Sequence, residues 1–415
     1  MSTQNLPLLQ RRTVRVLTAG QVLSGFGLGS TLSIGSLLAQ DLSSSTAWAG
    51  AAATFSTLGA ATWAIPLARV AYARGRRFSL ALGAAIAISG ASLIITAASI
   101  RFFPLLLLAL FLLGSGSATG LQARFAATDI PNQGRQSRDL SLVVWATTIG
   151  AVIGPNLFGP GEIIGGALGL PHMTGPFLIT MTAQLSAATV FWFGLKPDPL
   201  LVAKSLGDAK AKKPKLSFGT AIQTLKQYPR AAYAVISIAL SHMVMVSVMS
   251  MTPAHLKMEG ATLVVVGFTI SVHIAGMYAF SPIFGILADK LGKIQTVILG
   301  QTIYVAALTF AGFGMHDHNL VLLGLFLLGL GWSAATVSAS SLLSASLPAE
   351  QKTNVQGLSD SLMNLSGAFG GAISGSIMAA LMFVGLNLSA LIPVAIILGL
   401  SGFALLRKQQ GEPTK

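Results

Sequence analysis

The sequence predicts an all-α membrane protein: twelve transmembrane helices in two pseudo-symmetric six-helix bundles. Three observations predict it: a composition too apolar for a water-covered surface, apolar segments of bilayer length, and a repeat that relates the two halves. Of 415 residues, 53% are hydrophobic and 9% are charged, whereas a soluble domain carries about 25% charged residues. So few charges cannot cover a soluble fold, and lipid must be the solvent for much of this surface. Cysteine is absent, which removes disulfides, thiolate metal sites and cysteine nucleophiles.

A hydrocarbon core of about 30 Å needs about 20 apolar residues per helix. Backbone groups in lipid must pair internally, so such segments are helices. The first, 15–38, follows Arg11, Arg12 and Arg15. It is longer than the roughly 7–15 residues of a secretory h-region and reads as a retained span. Segments 47–70, 78–100, 103–126, 139–159 and 176–195 complete an N-terminal six-helix bundle, residues 1–195. Residues 196–230, with Lys204, Lys210, Lys212, Lys213 and Lys215, read as a basic cytoplasmic linker. The C-terminal bundle, 231–415, holds segments 231–253, 263–287, 294–314, 319–343, 355–379 and 387–406.

Charge placement orients the spans. With both termini inside, 24 of the 26 Lys and Arg fall in the termini, in even-numbered loops or at helix ends beside them; Arg101 and Lys257 are the exceptions. Positive residues favour the cytoplasmic side, so the net charge of +14 reads as a topology signal, and nucleic acid is not expected as a partner. The expected location is a bacterial inner (plasma) membrane, multi-pass, with both termini cytoplasmic.

The halves repeat. Arg74-Gly75-Arg76-Arg77 aligns with Leu291-Gly292-Lys293-Ile294 at an offset of 217. The same offset takes Pro131, Arg135, Gly150, Ala151 and Gly154 onto Pro348, Lys352, Gly367, Ala368 and Gly371. Phe111-Leu-Leu-Gly-Ser-Gly recurs as Phe326-Leu-Leu-Gly-Leu-Gly at an offset of 215. A six-plus-six duplication of this kind characterises secondary transporters. No Walker-type phosphate loop, nucleophile–base set or H-E-x-x-H motif is present, so neither ATP-driven pumping nor enzymatic activity is expected.

Residues 242–277 concentrate soft ligands: His242, Met243, Met245, Met249, Met251, His255, Met258, His273 and Met277. Thioether and imidazole suit copper and its neighbours, and ionisable groups within a membrane are functional candidates by default. Methionine also fills irregular apolar gaps, so core packing is the competing reading. His172-Met173 and Met315-His316-Asp317-His318, with His255 and Met258, fall in exterior loops, where a metal could gather at the mouth or the side chains could simply be solvated. Asp360, near the start of the eleventh span, is the candidate for proton coupling or for closing a gate; its competing role is to favour the helix dipole. Glu162 is expected in a loop after the fifth span. Trp145, Asn156, Gln21 and Asn364 could line a polar cavity for an organic molecule.

Gly285-Ile-Leu-Ala-Asp289-Lys290-Leu-Gly292-Lys293 resembles the cytoplasmic signature of the major facilitator superfamily, G-x-x-x-D-[RK]-x-G-[RK], and the resemblance extends over nearly the whole chain. It implies the major facilitator fold, alternating access, and a latch in which Asp289, Lys290, Gly292 and Lys293 gate the cytoplasmic side. The first-half copy keeps Gly75, Arg76 and Arg77 but has Tyr72 for the acid and Ala68 for the first glycine; Asp129 is the candidate partner of Arg76 or Arg77. Gly150-Ala-Val-Ile-Gly154-Pro155 partly resembles an antiporter motif, whereas Leu110 replaces the fourth-span arginine common in proton-coupled drug exporters.

Met245-x-x-x-Met249 and His273-x-x-x-Met277 resemble the paired motifs of CcoA-like copper importers, a branch with relatives that handle organic substrates, riboflavin among them. That resemblance implies Met245, Met249, His273 and Met277 as transient metal ligands. Residues at i and i+4 share a helical face, and His242 joins the first pair's stripe as a further substrate-binding candidate. The leading expectation is copper uptake through this Met/His site. The alternative is import or efflux of a small organic solute, riboflavin-like or drug-like, with the same residues lining a soft cavity. A membrane sensor is a third reading. No cofactor is expected, copper entering as cargo; the expected partners are the lipid bilayer and a small-molecule or metal-ion substrate, and the expected state is a monomer.

Overall fold

A computed structural model describes residues 6–44, 51–130, 135–153, 158–206 and 218–409. Among these residues the regular structure is entirely α-helical. The helices are α1 (Leu6–Ser43), α2 (Ala51–Arg74), α3 (Arg76–Ser99), α4 (Phe103–Ala126), α5 (Gln136–Ile153), α6 (Phe158–Ala167), α7 (Gly175–Gly194), α8 (Pro199–Leu206), α9 (Phe218–Gln227), α10 (Pro229–Met258), α11 (Leu263–Tyr278), α12 (Ser281–Lys290), α13 (Lys293–Phe313), α14 (His318–Ala345) and α15 (Ala349–Gln409). Eight helical stretches among the described residues are long and apolar enough to cross a membrane.

The helix boundaries follow from local chemistry. Proline opens α4, α7, α10 and α12 in the first two positions, where its missing N–H costs no hydrogen bond. Asp317 caps α14 by accepting from Asn319 N at 2.8 Å, and Thr262 caps α11. Gly75 (φ +92) divides α2 from α3, and Gly292 (φ +113) divides α12 from α13. A side chain is strained at such dihedrals, which accounts for the glycine the repeat retains at both positions. Within the 61-residue α15 the helical dihedrals break at Met382 (φ 61, ψ −177), inside the interval expected between the last two spans.

Two sequence expectations are corrected in detail. The Gly/Pro-rich stretch around Glu162 is helix α6 rather than loop. Its glycines disfavour helix intrinsically, yet they allow contact with α7: a Cβ on Gly175 would lie 2.0 Å from the Gly161 carbonyl oxygen. The eighth span is divided into α11 and α12 by a break after Tyr278, with Pro282 near the start of the second piece. Pro131, Gly154, Pro155, Asn156, Lys210, Lys212, Lys213 and Lys215 lie outside the described residues.

The chain forms two compact units. One comprises Met1–Asn132, Ala146–Ala221 and Ala349–Ser361; the other comprises Gln133–Trp145, Ile222–Pro348 and Leu362–Lys415. In the first, α1 to α4 and α7 enclose a core of Ala87, Ala91, Ile94, Leu106, Leu110 and Phe177; Leu110 is therefore a core residue. In the second, α11 lies so close to α14 that a Cβ on Gly329 would fall 2.4 Å from the His273 carbonyl and 2.8 Å from Met277 N. Small residues permit this approach. Gly329→Val is expected to cost about 1–3 kcal/mol by overpacking, read as a lower melting temperature in detergent; an unchanged melt would refute the close-packing argument.

Candidate functional site

The soft-ligand cluster lies in the second unit. Met245 is 4% exposed and Met277 6% exposed, and both belong to one apolar core with Val248, Tyr304, Leu328 and Trp332. Met249 packs against the same core. The fold therefore brings the three methionines against one cluster, in surroundings that thioethers fill well. His273 is fully buried on α11. Its Nδ1 lies 2.8 Å from the Leu325 carbonyl of α14, and a carbonyl only accepts, so Nδ1 carries the proton and donates. Nε2 is buried with no hydrogen-bond partner among the described residues. His242 turns elsewhere: its Nδ1 accepts the indole N–H of Trp332 at 3.1 Å.

The remaining His/Met set is spread among separate partners, and His255 and Met258, expected in an exterior loop, lie in the last turns of α10, with His255 buried. His255 Nε2 bonds the Met315 carbonyl at 2.8 Å, and its ring stacks on Phe383 at 4.1 Å. His316 Nδ1 lies 2.9 Å from Glu259 Oε2 and holds that carboxyl below the usual carboxylate range. His172 sits 3.7 Å from Glu162. Among the described residues, no three His, Cys, Asp or Glu gather as a metal-binding group.

Among the described residues, the first unit holds two buried ion pairs. Arg76, 1% exposed, donates from Nε and Nη2 to Asp129 at 2.8 and 3.1 Å, and from Nη2 to Gln356 Oε1 at 2.7 Å. Of the two arginines proposed as partners of Asp129, Arg76 makes the pair. Arg77 instead donates its backbone N–H to Asp198 at 2.7 Å and lays its guanidinium 4.4 Å over Trp192. Asp198 sits at the start of α3, where free amides and the helix dipole favour an anion. Tyr72, in the place of the missing acid, has the ammonium of Lys204 3.3 Å above its ring centroid.

The second pair joins Arg124 Nη2 to Asp360 Oδ1 at 2.6 Å, with side chains 3% and 0% exposed. Arg124 was overlooked by sequence reasoning, which counted it only toward orientation, although it falls inside the fourth predicted span and an arginine within a span is itself a functional signal. Gln356, Asp198 and Trp332 were likewise not singled out; their roles come from partners distant in the chain. Asn364 is buried, Trp145 is half-buried, and Gln21 donates to Thr147 at 2.9 Å.

The signature loop lies in the second unit. Asp289 accepts from the backbone N–H groups of Ser137 and Arg138 at 3.1 and 3.0 Å. These amides belong to the first turn of α5, which lacks intrahelical acceptors. Lys290 is exposed in the last turn of α12, Gly292 supplies the turn, and half-buried Lys293 begins α13.

The family model described as Major Facilitator Superfamily matches residues 235–415. An uncharacterized MFS-type transporter of Bacillus subtilis, YddS, is 35% identical over 397 residues, covering 94% of this chain and 91% of that protein. The riboflavin transporter RfnT of Brucella anthropi is 26% identical over 356 residues, 85% of each chain. The crystal structure of the human organic anion transporter MFSD10 superposes with a TM-score of 0.72 at 16% identity, covering 94% of this chain and 99% of that one, a likeness of fold. The shared helical architecture and the near full-length match to YddS lead to one conclusion: the chain belongs to the major facilitator superfamily and is a multi-pass membrane protein of secondary transport, not an enzyme.

Proposed function

We propose that the chain carries a small organic solute across a bacterial plasma membrane by alternating access, as a monomer with both termini cytoplasmic, coupled to protons through Asp360. The observation that carries the organic-solute reading is the packing of Met245 and Met277 inside an aliphatic and aromatic core, where they act as filler. The likeness to a riboflavin transporter supports the same substrate class. Copper uptake through Met245, Met249, His273 and Met277 is the second reading; the observation in its favour is the buried, unpartnered Nε2 of His273, one helical turn from Met277. Buried carboxylates that exchange protons recur in transport pathways, which supports the role given to Asp360. The Arg76–Asp129–Gln356 network and the Asp289 contact with α5 are assigned to gating on the cytoplasmic side, with Lys290, Gly292 and Lys293 shaping the latter.

The readings separate in sealed proteoliposomes. Wild-type protein is expected to accumulate labelled riboflavin or another small organic solute under an imposed proton gradient. In cells grown under copper limitation, His273→Ala/Met277→Ala is expected to leave copper content at the wild-type level, with matched expression. A fall in copper that wild type alone restores would overturn the organic-solute reading in favour of copper.

A further inference from the structure

Trp332, Tyr278 and His242 are three rings from three helices that meet at one place in the second unit. Tyr278 of α11 meets Trp332 of α14 edge-on, with centroids 5.5 Å apart at 75°. His242 of α10 lies 6.2 Å from the same indole at 54°. Trp332 is 3% exposed, whereas His242 and Tyr278 are half-buried. The indole is thus the base of the group, and the other two rings present surface.

The group is held in place. Because the indole N–H donates to Nδ1 of His242, neutral His242 carries its proton on Nε2. The opposite edge of that ring rests over α15, where a Cβ on Gly367 would lie 2.6 Å from Cδ2 and 2.9 Å from Nε2. Trp332 on one side and a bare glycine on the other fix the orientation of the imidazole. Rings fixed before a ligand arrives lose little freedom on binding.

A polar group shares the helix face of Trp332. Thr336 is one helical turn from Trp332 on α14 and so shares its face. It is fully buried, and its hydroxyl has no hydrogen-bond partner among the described residues. Thr252, Thr269 and Thr309 each donate to the carbonyl four residues back, the usual resolution for a helical hydroxyl. Thr336 does not, nor do Ser333, Ser338 and Ser340 of the same helix, and a buried hydroxyl left unsatisfied is costly; of these, Thr336 is the one that stands one turn from Trp332.

Resting on the organic-solute reading, we infer that His242, Tyr278 and Trp332 form the binding site for a planar heteroaromatic ring, with Thr336 bonding its polar edge. Stacking on aromatic side chains is tolerant of ring identity, so the site selects flat heterocycles as a class. Tyr278 and His242 touch the ring; Trp332 positions His242.

The test is equilibrium binding to the full-length protein in nanodiscs, read by flavin fluorescence and calorimetry. The probes are riboflavin, lumichrome (the ring without the polyol chain) and ribitol (a chain without the ring). Riboflavin and lumichrome are expected to bind and ribitol not to. Tyr278→Leu is expected to weaken both ring probes on the order of tenfold or more, while Tyr278→Phe retains them. A merely structural role would be met by leucine as well as by phenylalanine, and melting curves confirm that both variants fold. Trp332→Phe keeps a ring but loses the donor to Nδ1, and is expected to remove the effect of a further His242→Gln change, because both act through one imidazole. Wild type that binds ribitol but neither ring, or Tyr278→Leu that folds and binds lumichrome as wild type does, overturns the inference. Gradient-driven uptake of a non-aromatic solute by the same protein would still leave the organic-solute reading standing.

Discussion

Asp360→Ala is expected to destabilise the purified protein by about 3–5 kcal/mol, the cost of removing one partner from a buried ion pair. Arg124 and Asp360 are 3% and 0% exposed at the side chain, so the guanidinium left behind cannot turn to water for its lost carboxylate. The double variant Asp360→Asn/Arg124→Gln replaces two charges by a neutral pair of similar reach and is expected to recover most of that stability. Uptake separates stability from coupling. Asp360→Asn and the double variant are expected to lose gradient-driven accumulation while still exchanging solute between the two faces. Thermal melts in detergent check the first statement, and proteoliposome uptake against counterflow checks the second. A wild-type melt for Asp360→Ala would refute the energetic argument; concentrative uptake by Asp360→Asn with its pH dependence intact would refute the coupling role.

Arg76→Met is expected to have an effect of similar size, again about 3–5 kcal/mol. Asp129 is buried and takes two hydrogen bonds from that one guanidinium, and a third reaches Gln356. Lysine is a poor replacement because a single ammonium cannot reproduce the planar fork, so Arg76→Lys is expected to fall between wild type and methionine. The neighbouring Arg77 supplies a control. Its guanidinium lies over Trp192, and its contact with Asp198 uses the backbone N–H, which Arg77→Ala retains. That variant is expected to lose only about 0.5–1 kcal/mol. Equal losses at positions 76 and 77 would contradict the assignment of the pair to Arg76.

The difference between these adjacent arginines bears on what a sequence can carry. Span lengths, the 217-residue offset and the signature ending in Lys293 are local patterns, and the architecture follows from them. The shared positive φ of Gly75 and Gly292 was legible as a retained glycine. Pairing was legible only in part: Asp129 was a candidate partner of Arg76 or Arg77 and pairs with Arg76, but Arg124 and Asp360 are 236 residues apart, and Arg76 and Gln356 are 280 apart. No periodicity links such positions, and only the packed chain brings them together. The methionines are ambiguous for another reason, since the thioether that suits a soft cation is the same group that fills an apolar gap. Glu162 misled through its glycines, whose helix-breaking preference yields to the contact between α6 and α7.

The Tyr72–Lys204 and Asp198–Arg77 contacts have an evolutionary consequence. A duplicated gene begins with two identical loops, and each is then free to drift as long as its charges remain balanced. The second loop has kept its acid within the loop, where Asp289 serves α5. The first has Tyr72 at the equivalent position, with Lys204 over its ring, and the amide of Arg77 is met by Asp198 from beyond the sixth span. The two copies have ceased to be interchangeable parts. Placing an acid there by Tyr72→Asp would remove the ring beneath Lys204 and add an anion in a neighbourhood already served by Asp198.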